Sequence, residues 1–110
     1  MKRKDKHFNL IWNEAINSCD RAAFISEWSI SSIWGDQDDD GIAKTAEQIG
    51  KIWDIAHMTV RDLCNCARIG QTEMSRKFCI PIRTVQNWCG GQNQCPPYVI
   101  LMMARLLGMI

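Results

Sequence analysis

Hydrophobic residues recur at helical spacing along nearly the whole chain. One stripe near the N-terminus consists of Phe8, Ile11, Trp12, Ala15, Ile16 and Cys19. Asp20 can cap the helix that follows, whose apolar face contains Phe24, Ile25 and Trp28 and can continue to Ile33. The pattern continues in this way and predicts about seven helices, without a strand or an internal repeat. The expected fold class is therefore all-α, a bundle of helices.

An acidic segment bounded by Gly35 and Gly41 interrupts this pattern. After it, a third long stripe is formed by Ile42, Ala46, Ile49, Trp53 and Ala56. The segment has the spacing of a calcium loop, with Asp36, Asp38, Asp40, Gly41 and Glu47 at the first, third, fifth, sixth and twelfth positions. Ala43 fits the eighth position poorly, and Asp40 and Glu47 serve equally well on a helix. We expect a solvated acidic turn, with calcium binding as the alternative.

Helix boundaries can also be predicted in the second half of the chain. Thr59 followed by Asp62 forms a capping-box pattern before a helix that contains Val60, Leu63, Cys64 and Ala67. Gly70 is expected to close this helix. Pro96 and Pro97 open the last helix, whose apolar residues are Val99, Met102, Met103, Leu106 and Leu107, and Gly108 marks its end.

Two short helical patterns lie back to back between residues 71 and 89. The expected core of this pair is Met74, Ser75, Phe78, Val85 and Trp88. Ser75 is small at the position where the two helices must approach each other closely. A tight turn at Cys79 and Ile80 precedes Pro81, at the start of the second helix. The pattern predicts a helix-turn-helix.

The second of these helices has outward residues of the types that recognise DNA bases. They are Ile82, Arg83, Gln86 and Asn87. Arginine can pair with two acceptors on guanine, asparagine can pair with adenine, and isoleucine can contact a thymine methyl group. Gln71 and Thr72 lie at the start of the first helix, where backbone amides and the helix dipole can bind a phosphate. Arg83 and Asn87 as ordinary surface residues are the alternative.

Residues 59–108 resemble the Cro/repressor type of helix-turn-helix, the XRE-like or lambda-repressor-like regulators. The resemblance rests on Gln71 at a helix start, small Ser75, the spacing of Arg83, Thr84, Val85, Trp88 and Gly91, and Pro96 before the closing helix. It implies a recognition helix over about 82–89, with base contacts from Ile82, Arg83 and Asn87. It also implies phosphate contacts from Gln71, Thr72, Thr84 and the loop of Gln92, Asn93 and Gln94. We add Arg76 as a further phosphate contact.

Two residues depart from this family pattern. Cys79 occupies a turn position where glycine is common, and a positive φ there would cost about 1 kcal/mol. Pro81 replaces the usual serine or threonine cap, so a capping bond is lost, although proline suits the first turn of a helix. The loop of residues 90–94 also has no lysine or arginine, which weakens the expected attraction to phosphate.

Charge is distributed unevenly along the chain. The net charge of the 110 residues is only +1, but residues 59–110 hold six cations and two anions, a net charge of +4. Residues 1–58 hold seven cations and ten anions, a net charge of −3. The positive half is the one with the helix-turn-helix pattern, as binding to a phosphate backbone requires.

The residue pattern does not favour a metal site, a cofactor or an enzyme. Cys64 and Cys66 point to nearly opposite faces of a helix, there is no Cys-x-x-Cys, and His7 and His57 have no ligand partner at useful spacing. The six cysteines are expected to be reduced thiols that act as small hydrophobic residues. No Ser/His/Asp, Cys/His or paired-carboxylate arrangement indicates catalysis.

The sequence therefore predicts two parts, an N-terminal helical extension over 1–58 for dimerisation or partner binding and a DNA-binding domain over 59–110. No apolar signal segment or membrane span is recognisable, so a cytoplasmic protein is expected. The predicted function is sequence-specific regulation of transcription by a homodimer on double-stranded DNA. The alternative is a protein-binding module: an antitoxin, or an inhibitor that uses the acidic residues 36–40 as a phosphate mimic. Trp34 could anchor a partner.

Overall fold

The computed structural model describes residues 2–29, 35 and 38–110, with side chains from residue 7 onward. This part of the chain forms seven helices and no strand: α1 Lys2–Asn17, α2 Arg21–Ser29, α3 Asp39–Ala56, α4 Val60–Ala67, α5 Gln71–Phe78, α6 Ile82–Cys89 and α7 Pro97–Leu106. The predicted all-α class is confirmed. Ile33, Trp34 and Asp36 lie outside the described residues, and so does any role predicted for them. No described helix is both long and apolar enough to cross a membrane.

The chain divides into two compact units, residues 1–56 and 57–110, whereas the sequence placed the boundary after Met58. In the first unit α3 packs against both α1 and α2. The buried apolar residues of this unit are Ile11, Trp12, Ala15, Phe24, Trp28, Ile49, Ile52 and Ile55. Cys19 was expected in the stripe of the first helix, but α1 ends at Asn17 and Cys19 is exposed.

The face of α3 that is buried differs from the expected stripe. Thr45, Ile49, Gly50, Ile52 and Ile55 are buried, whereas Ile42, Ala46, Trp53 and Ala56 are only partly buried. Gly50 is covered by α2, since a Cβ atom there would lie 2.7 Å from Nη2 of Arg21 and 3.2 Å from Cδ1 of Ile25. Side chains of α2 therefore lie over this face of α3. The Thr45 hydroxyl is satisfied because it donates to the Gly41 carbonyl at 2.9 Å.

Three polar contacts reinforce the first unit. Nε1 of Trp28 donates to Oε2 of Glu14 at 2.8 Å, which joins α2 to α1. The Arg21 guanidinium donates to both carboxylate oxygens of Asp54 at 2.8 and 3.2 Å, which joins α2 to α3. Asp20 caps α2 as predicted, its Oδ1 accepting from the amide of Ala23 at 3.2 Å. Helix packing and these contacts together position α2 in the unit.

From Asp38 onward, the described part of the acidic segment begins a helix, which is not the conformation of a calcium loop. Oδ1 of Asp38 accepts from the amide of Gly41 at 2.7 Å, and α3 begins at Asp39. Residues that would be the fourth to twelfth positions of a calcium loop are therefore α-helical, whereas a calcium loop must curl around its ion. Where a solvated acidic turn was expected, α3 has a capped start. Asp39 and Asp40 lie in its first turn, where their negative charge interacts favourably with the positive end of the helix dipole.

The second unit begins with the predicted capping box, which is confirmed. The amide of Asp62 donates to Oγ1 of Thr59 at 3.2 Å, and the amide of Thr59 donates to Oδ2 of Asp62 at 2.9 Å. The prediction that Gly70 closes α4 is wrong. Arg68 takes the left-handed conformation there, at φ 57°, and Gly70 is instead the extended residue before α5, at φ −83°.

The core of the second unit forms where α4 meets α6 and α7, and where α5 meets α6. Its buried residues are Val60, Leu63, Cys64, Met74, Val85, Ile100, Met103 and Ala104. Only part of the apolar face of α7 is used, because Tyr98, Met102 and Leu106 are 62%, 57% and 70% exposed. These three residues follow one another at four-residue spacing and form a single stripe on the surface of the helix. We call them the α7 stripe.

Candidate nucleic-acid interface

The turn between α5 and α6 consists of Cys79, Ile80 and Pro81. Ser75 closes this turn, since its hydroxyl donates to the Ile80 carbonyl while its own carbonyl accepts from the Ile80 amide at 3.0 Å. Cys79 has a positive φ of 54°, a conformation that favours glycine, so its Cβ atom carries a cost of about 1 kcal/mol. Sequence reasoning assigned Ser75 only as a small residue and missed the bond made by its hydroxyl. Serine is too common a residue for its position five residues before Ile80 to predict this hydrogen bond.

The start of α6 lacks a side-chain cap, as the sequence predicted. Pro81 precedes the first helical residue and has no side-chain donor or acceptor, but its carbonyl accepts from the amides of Thr84 at 2.9 Å and Val85 at 3.2 Å. The fixed φ of proline suits this position, at −53°. The helix therefore begins with its first amides uncapped by a side chain.

The residues predicted to point inward do so to different degrees. Met74 of α5 and Val85 of α6 are fully buried at 0% exposure. Phe78 and Trp88 are partly buried, and so is Ser75. Met74 and Val85 therefore anchor the two helices in the core.

The predicted base contacts lie on the surface of α6. Ile82 is 39% exposed and Arg83 is exposed, and these two side chains are at the start of the helix. Asn87 is partly buried in the last turn. Its carbonyl accepts from the amides of Gln92 at 3.0 Å and Asn93 at 3.4 Å, so the loop after α6 folds back on that end of the helix.

The predicted phosphate contacts fall in three places. Gln71, partly buried, and Thr72, exposed, belong to the first turn of α5, and Arg76 is exposed in its last turn. Thr84 is partly buried on α6. The remaining two, Gln92 and Asn93, are exposed in the loop after α6. Gln71 and Arg76 are five residues apart, which is about 7.5 Å along the axis of α5.

The cations of the second unit are all exposed: Arg61, Arg68, Arg76, Lys77, Arg83 and Arg105. Of its two anions, Asp62 is occupied by the capping box and Glu73 lies in the first turn of α5. Both anions therefore lie where they stabilise a helix N-terminus. Arg76 and Lys77 lie at the opposite end of α5, where cations are favoured.

The thiols of the second unit occupy very different surroundings. Cys64 is buried on α4, Cys66 is exposed on the opposite face as predicted, and Cys79 is exposed in the turn. Burial raises the pKa of the Cys64 thiol, and a neighbouring Cys89 thiol raises it further. Burial also raises the pKa of Cys95 to about 11. The expectation that the cysteines act as small hydrophobic residues therefore applies to Cys64, but not to the exposed Cys19, Cys66 and Cys79.

Within the described residues, no group of three or more His, Cys, Asp or Glu side chains is arranged to hold a metal ion. The surface around α6 carries amide, guanidinium and hydroxyl donors. Comparison with models of protein families, with characterised proteins and with solved structures gives no match for this chain.

Proposed function

We propose that this protein is a sequence-specific DNA-binding regulator in which α6 enters the major groove. The observation that supports this most directly is the contrast between the two faces of α6. Val85 is fully buried, while Ile82 and Arg83 are exposed at the start of the helix. An eight-residue helix anchored from behind by one buried side chain leaves its other face free to contact base edges.

The roles of individual residues follow from their chemistry. Arg83 donates two hydrogen bonds to a guanine, and Ile82 contacts a thymine methyl group. Asn87, one turn further along α6, pairs with an adenine. Ser75 supports this reading indirectly, because its two bonds with Ile80 hold the turn from which α6 starts. A recognition helix must be held rigidly if its side chains are to distinguish bases.

Phosphate contacts position the helix and determine the salt dependence. Gln71, Thr72, Arg76, Thr84, Gln92 and Asn93 supply donors around α6. Only Arg76 among them carries a charge, so few counterions are released on binding. The affinity should therefore fall less steeply with salt than that of a strongly basic DNA-binding protein.

A homodimer is part of the same proposal. The α7 stripe of Tyr98, Met102 and Leu106 is apolar and exposed. Two copies of this stripe can pack against each other about a two-fold axis, which would bury both and present two recognition helices to two half-sites. Met102→Glu would then weaken both self-association and DNA binding.

Selection from a random duplex pool at near-physiological salt tests the proposal. Wild type is compared with an Arg83→Ala/Asn87→Ala variant and with Arg61→Ala/Asn65→Ala as the matched control. The control removes the same two residue types at the same spacing from exposed positions on α4. A motif enriched by wild type and by the control, but lost in the α6 variant, supports sequence-specific regulation. Equal loss in both variants would contradict the assignment of α6.

A protein-binding module is the second candidate. Asp38, Asp39 and Asp40 are exposed at the start of α3 and form a compact group of negative charge that could imitate phosphates. Failure of wild type to enrich any duplex would favour this candidate. The next experiment is then a pull-down with wild type and an Asp39→Asn/Asp40→Asn variant, since a partner that binds through these residues is captured only by wild type.

A further inference from the structure

The exposed face of α6 consists of three residues, Ile82, Arg83 and Gln86. The other residues of the helix are buried or partly buried: Thr84, Val85, Asn87, Trp88 and Cys89. Since successive residues of a helix are turned by about 100°, Gln86 lies about 40° from Ile82 and about 60° from Arg83, between the two. Gln86 is therefore in the middle of the exposed face, whereas Asn87 lies beyond Arg83 at its edge.

The backbone at Gln86 is held in place from both directions along the chain. Val85, the preceding residue, is fully buried at 0% exposure. The Gln86 carbonyl accepts from the amide of Gly90 at 2.8 Å, at the end of the helix. An exposed side chain on a fixed backbone is the arrangement that base recognition needs, because both groups of a side-chain amide must meet the base edge together.

We propose that Gln86 is a specificity-determining residue that recognises an adenine in the major groove. This inference rests on the proposed function, because it requires α6 to lie in the groove. A glutamine amide presents an acceptor and a donor side by side, which match the N6 amino group and the N7 acceptor of adenine. No other base has this pair of groups on its major-groove edge.

The position of Gln86 on the helix also predicts where this adenine lies. Gln86 follows Arg83 by three residues, which is about 4.5 Å along the helix axis. Neighbouring bases of one strand are about 3.4 Å apart along the duplex. The adenine recognised by Gln86 is therefore within two base pairs of the guanine assigned to Arg83.

An exposed glutamine can instead contact a phosphate, and the two roles have different consequences. A phosphate contact contributes to binding of every sequence alike, whereas a base contact distinguishes one base at one position. The preferred base at that position, and not the affinity alone, therefore separates the two roles.

The test uses the full chain in selection from a random duplex pool, followed by titration of the selected duplex and of duplexes with one base pair changed. Wild type is compared with Gln86→Ala, Gln86→Arg and Gln48→Ala. Gln48→Ala is the matched control, since it removes the same amide from an exposed position on α3. Gln86→Arg presents two donors, which suit the two acceptors of guanine. Equal urea midpoints show that the substitutions of these exposed residues leave the fold intact.

Wild type and the control are expected to prefer adenine at one position by about 5- to 100-fold. Gln86→Ala should lose this preference and keep the preference for the guanine nearby, and Gln86→Arg should prefer guanine where wild type prefers adenine. Equal weakening of all sequences, or loss of a preference for a base other than adenine, would overturn the proposal.

Failure of this inference can be distinguished from failure of the proposed function. A motif that is lost in Arg83→Ala/Asn87→Ala but unchanged in both Gln86 variants would overturn the inference and leave the proposed function standing. Failure of wild type to enrich any duplex would overturn both.

Discussion

Two hydrogen bonds join Ser75 and Ile80. The Ser75 hydroxyl donates to the Ile80 carbonyl, and the Ile80 amide donates to the Ser75 carbonyl at 3.0 Å. The pair closes the turn at which α5 ends, with Cys79 between them in the left-handed conformation. The direction in which α6 leaves this turn therefore depends on one hydroxyl group as well as on the packing of Val85. In the proposed function, the turn closed by Ser75 and Ile80 supports the recognition helix α6.

Ser75→Ala is expected to lower the free energy of unfolding by about 1 kcal/mol, because the Ile80 carbonyl loses its hydroxyl partner. Urea denaturation followed by tryptophan fluorescence measures this change. Thr72→Ala is the control, since it removes an exposed hydroxyl from the same helix and should change stability by less than about 0.5 kcal/mol. Equal effects of the two substitutions would contradict a structural role for the Ser75 hydroxyl.

Cys79→Gly is expected to raise the free energy of unfolding by about 0.5–1 kcal/mol. The residue has φ 54°, a conformation that is strained for any side chain with a Cβ atom and free for glycine. Cys79→Ala removes the thiol but keeps the Cβ atom, so it should give no such gain. Thermal unfolding of the two variants compares them directly, and a gain in the alanine variant would show that the thiol, not the backbone, is the cause.

Glu14→Ala is expected to cost about 1–2 kcal/mol in the first unit. The indole N–H of Trp28 donates to Glu14 at 2.8 Å, and Trp28 is buried, so the substitution removes a partly buried hydrogen bond between α1 and α2. Glu14→Gln keeps an acceptor oxygen and should retain most of the stability. Urea denaturation distinguishes the two variants, and the contact would be shown unimportant if the glutamine variant were as unstable as the alanine variant.

Arg83→Ala and Arg76→Ala should affect DNA binding differently. Arg83→Ala is expected to relax the preference at one base position, at a cost of about 1–3 kcal/mol on the preferred sequence. Arg76→Ala should weaken binding to all sequences alike and reduce the dependence of affinity on salt, since it removes one phosphate contact. Titrations of a selected and a scrambled duplex at several salt concentrations measure both effects. A sequence preference that is unchanged in Arg83→Ala would contradict the assignment of Arg83 as a base contact.

Cys95 is expected to make stability depend on pH in the alkaline range. Burial raises its pKa from the ordinary 9.0 to about 11, so above pH 9 the unfolded chain ionises this thiol while the folded chain keeps it neutral. The folded state therefore binds more protons than the unfolded state, and stability is lost as the pH rises from 9 through 11. The difference in urea midpoint between wild type and Cys95→Ala should shrink across this window. A difference that stays constant from pH 8 to pH 11 would contradict the shift.

The sequence by itself determined what depends on neighbours along the chain. Helical periodicity predicted the all-α class, and local chemistry predicted the capping box at Thr59 and Asp62. Burial of Met74 and Val85 followed from the same spacing. These features could be predicted because each involves residues within about one helical turn. The resemblance to XRE-like regulators, and the DNA contacts that it implies, stay predictions.

The tertiary structure decided what depends on which helix lies next to which. Gly50 adds nothing to a hydrophobic pattern, yet it is buried because side chains of α2 lie over it. The burial of Cys64 likewise depends on the packing of α4 against α6 and α7. Periodicity shows that a helix has an apolar face, but not which neighbour covers it or how closely. Which side chains cover a given face is set by the packing of the whole unit, and so it is visible only in three dimensions.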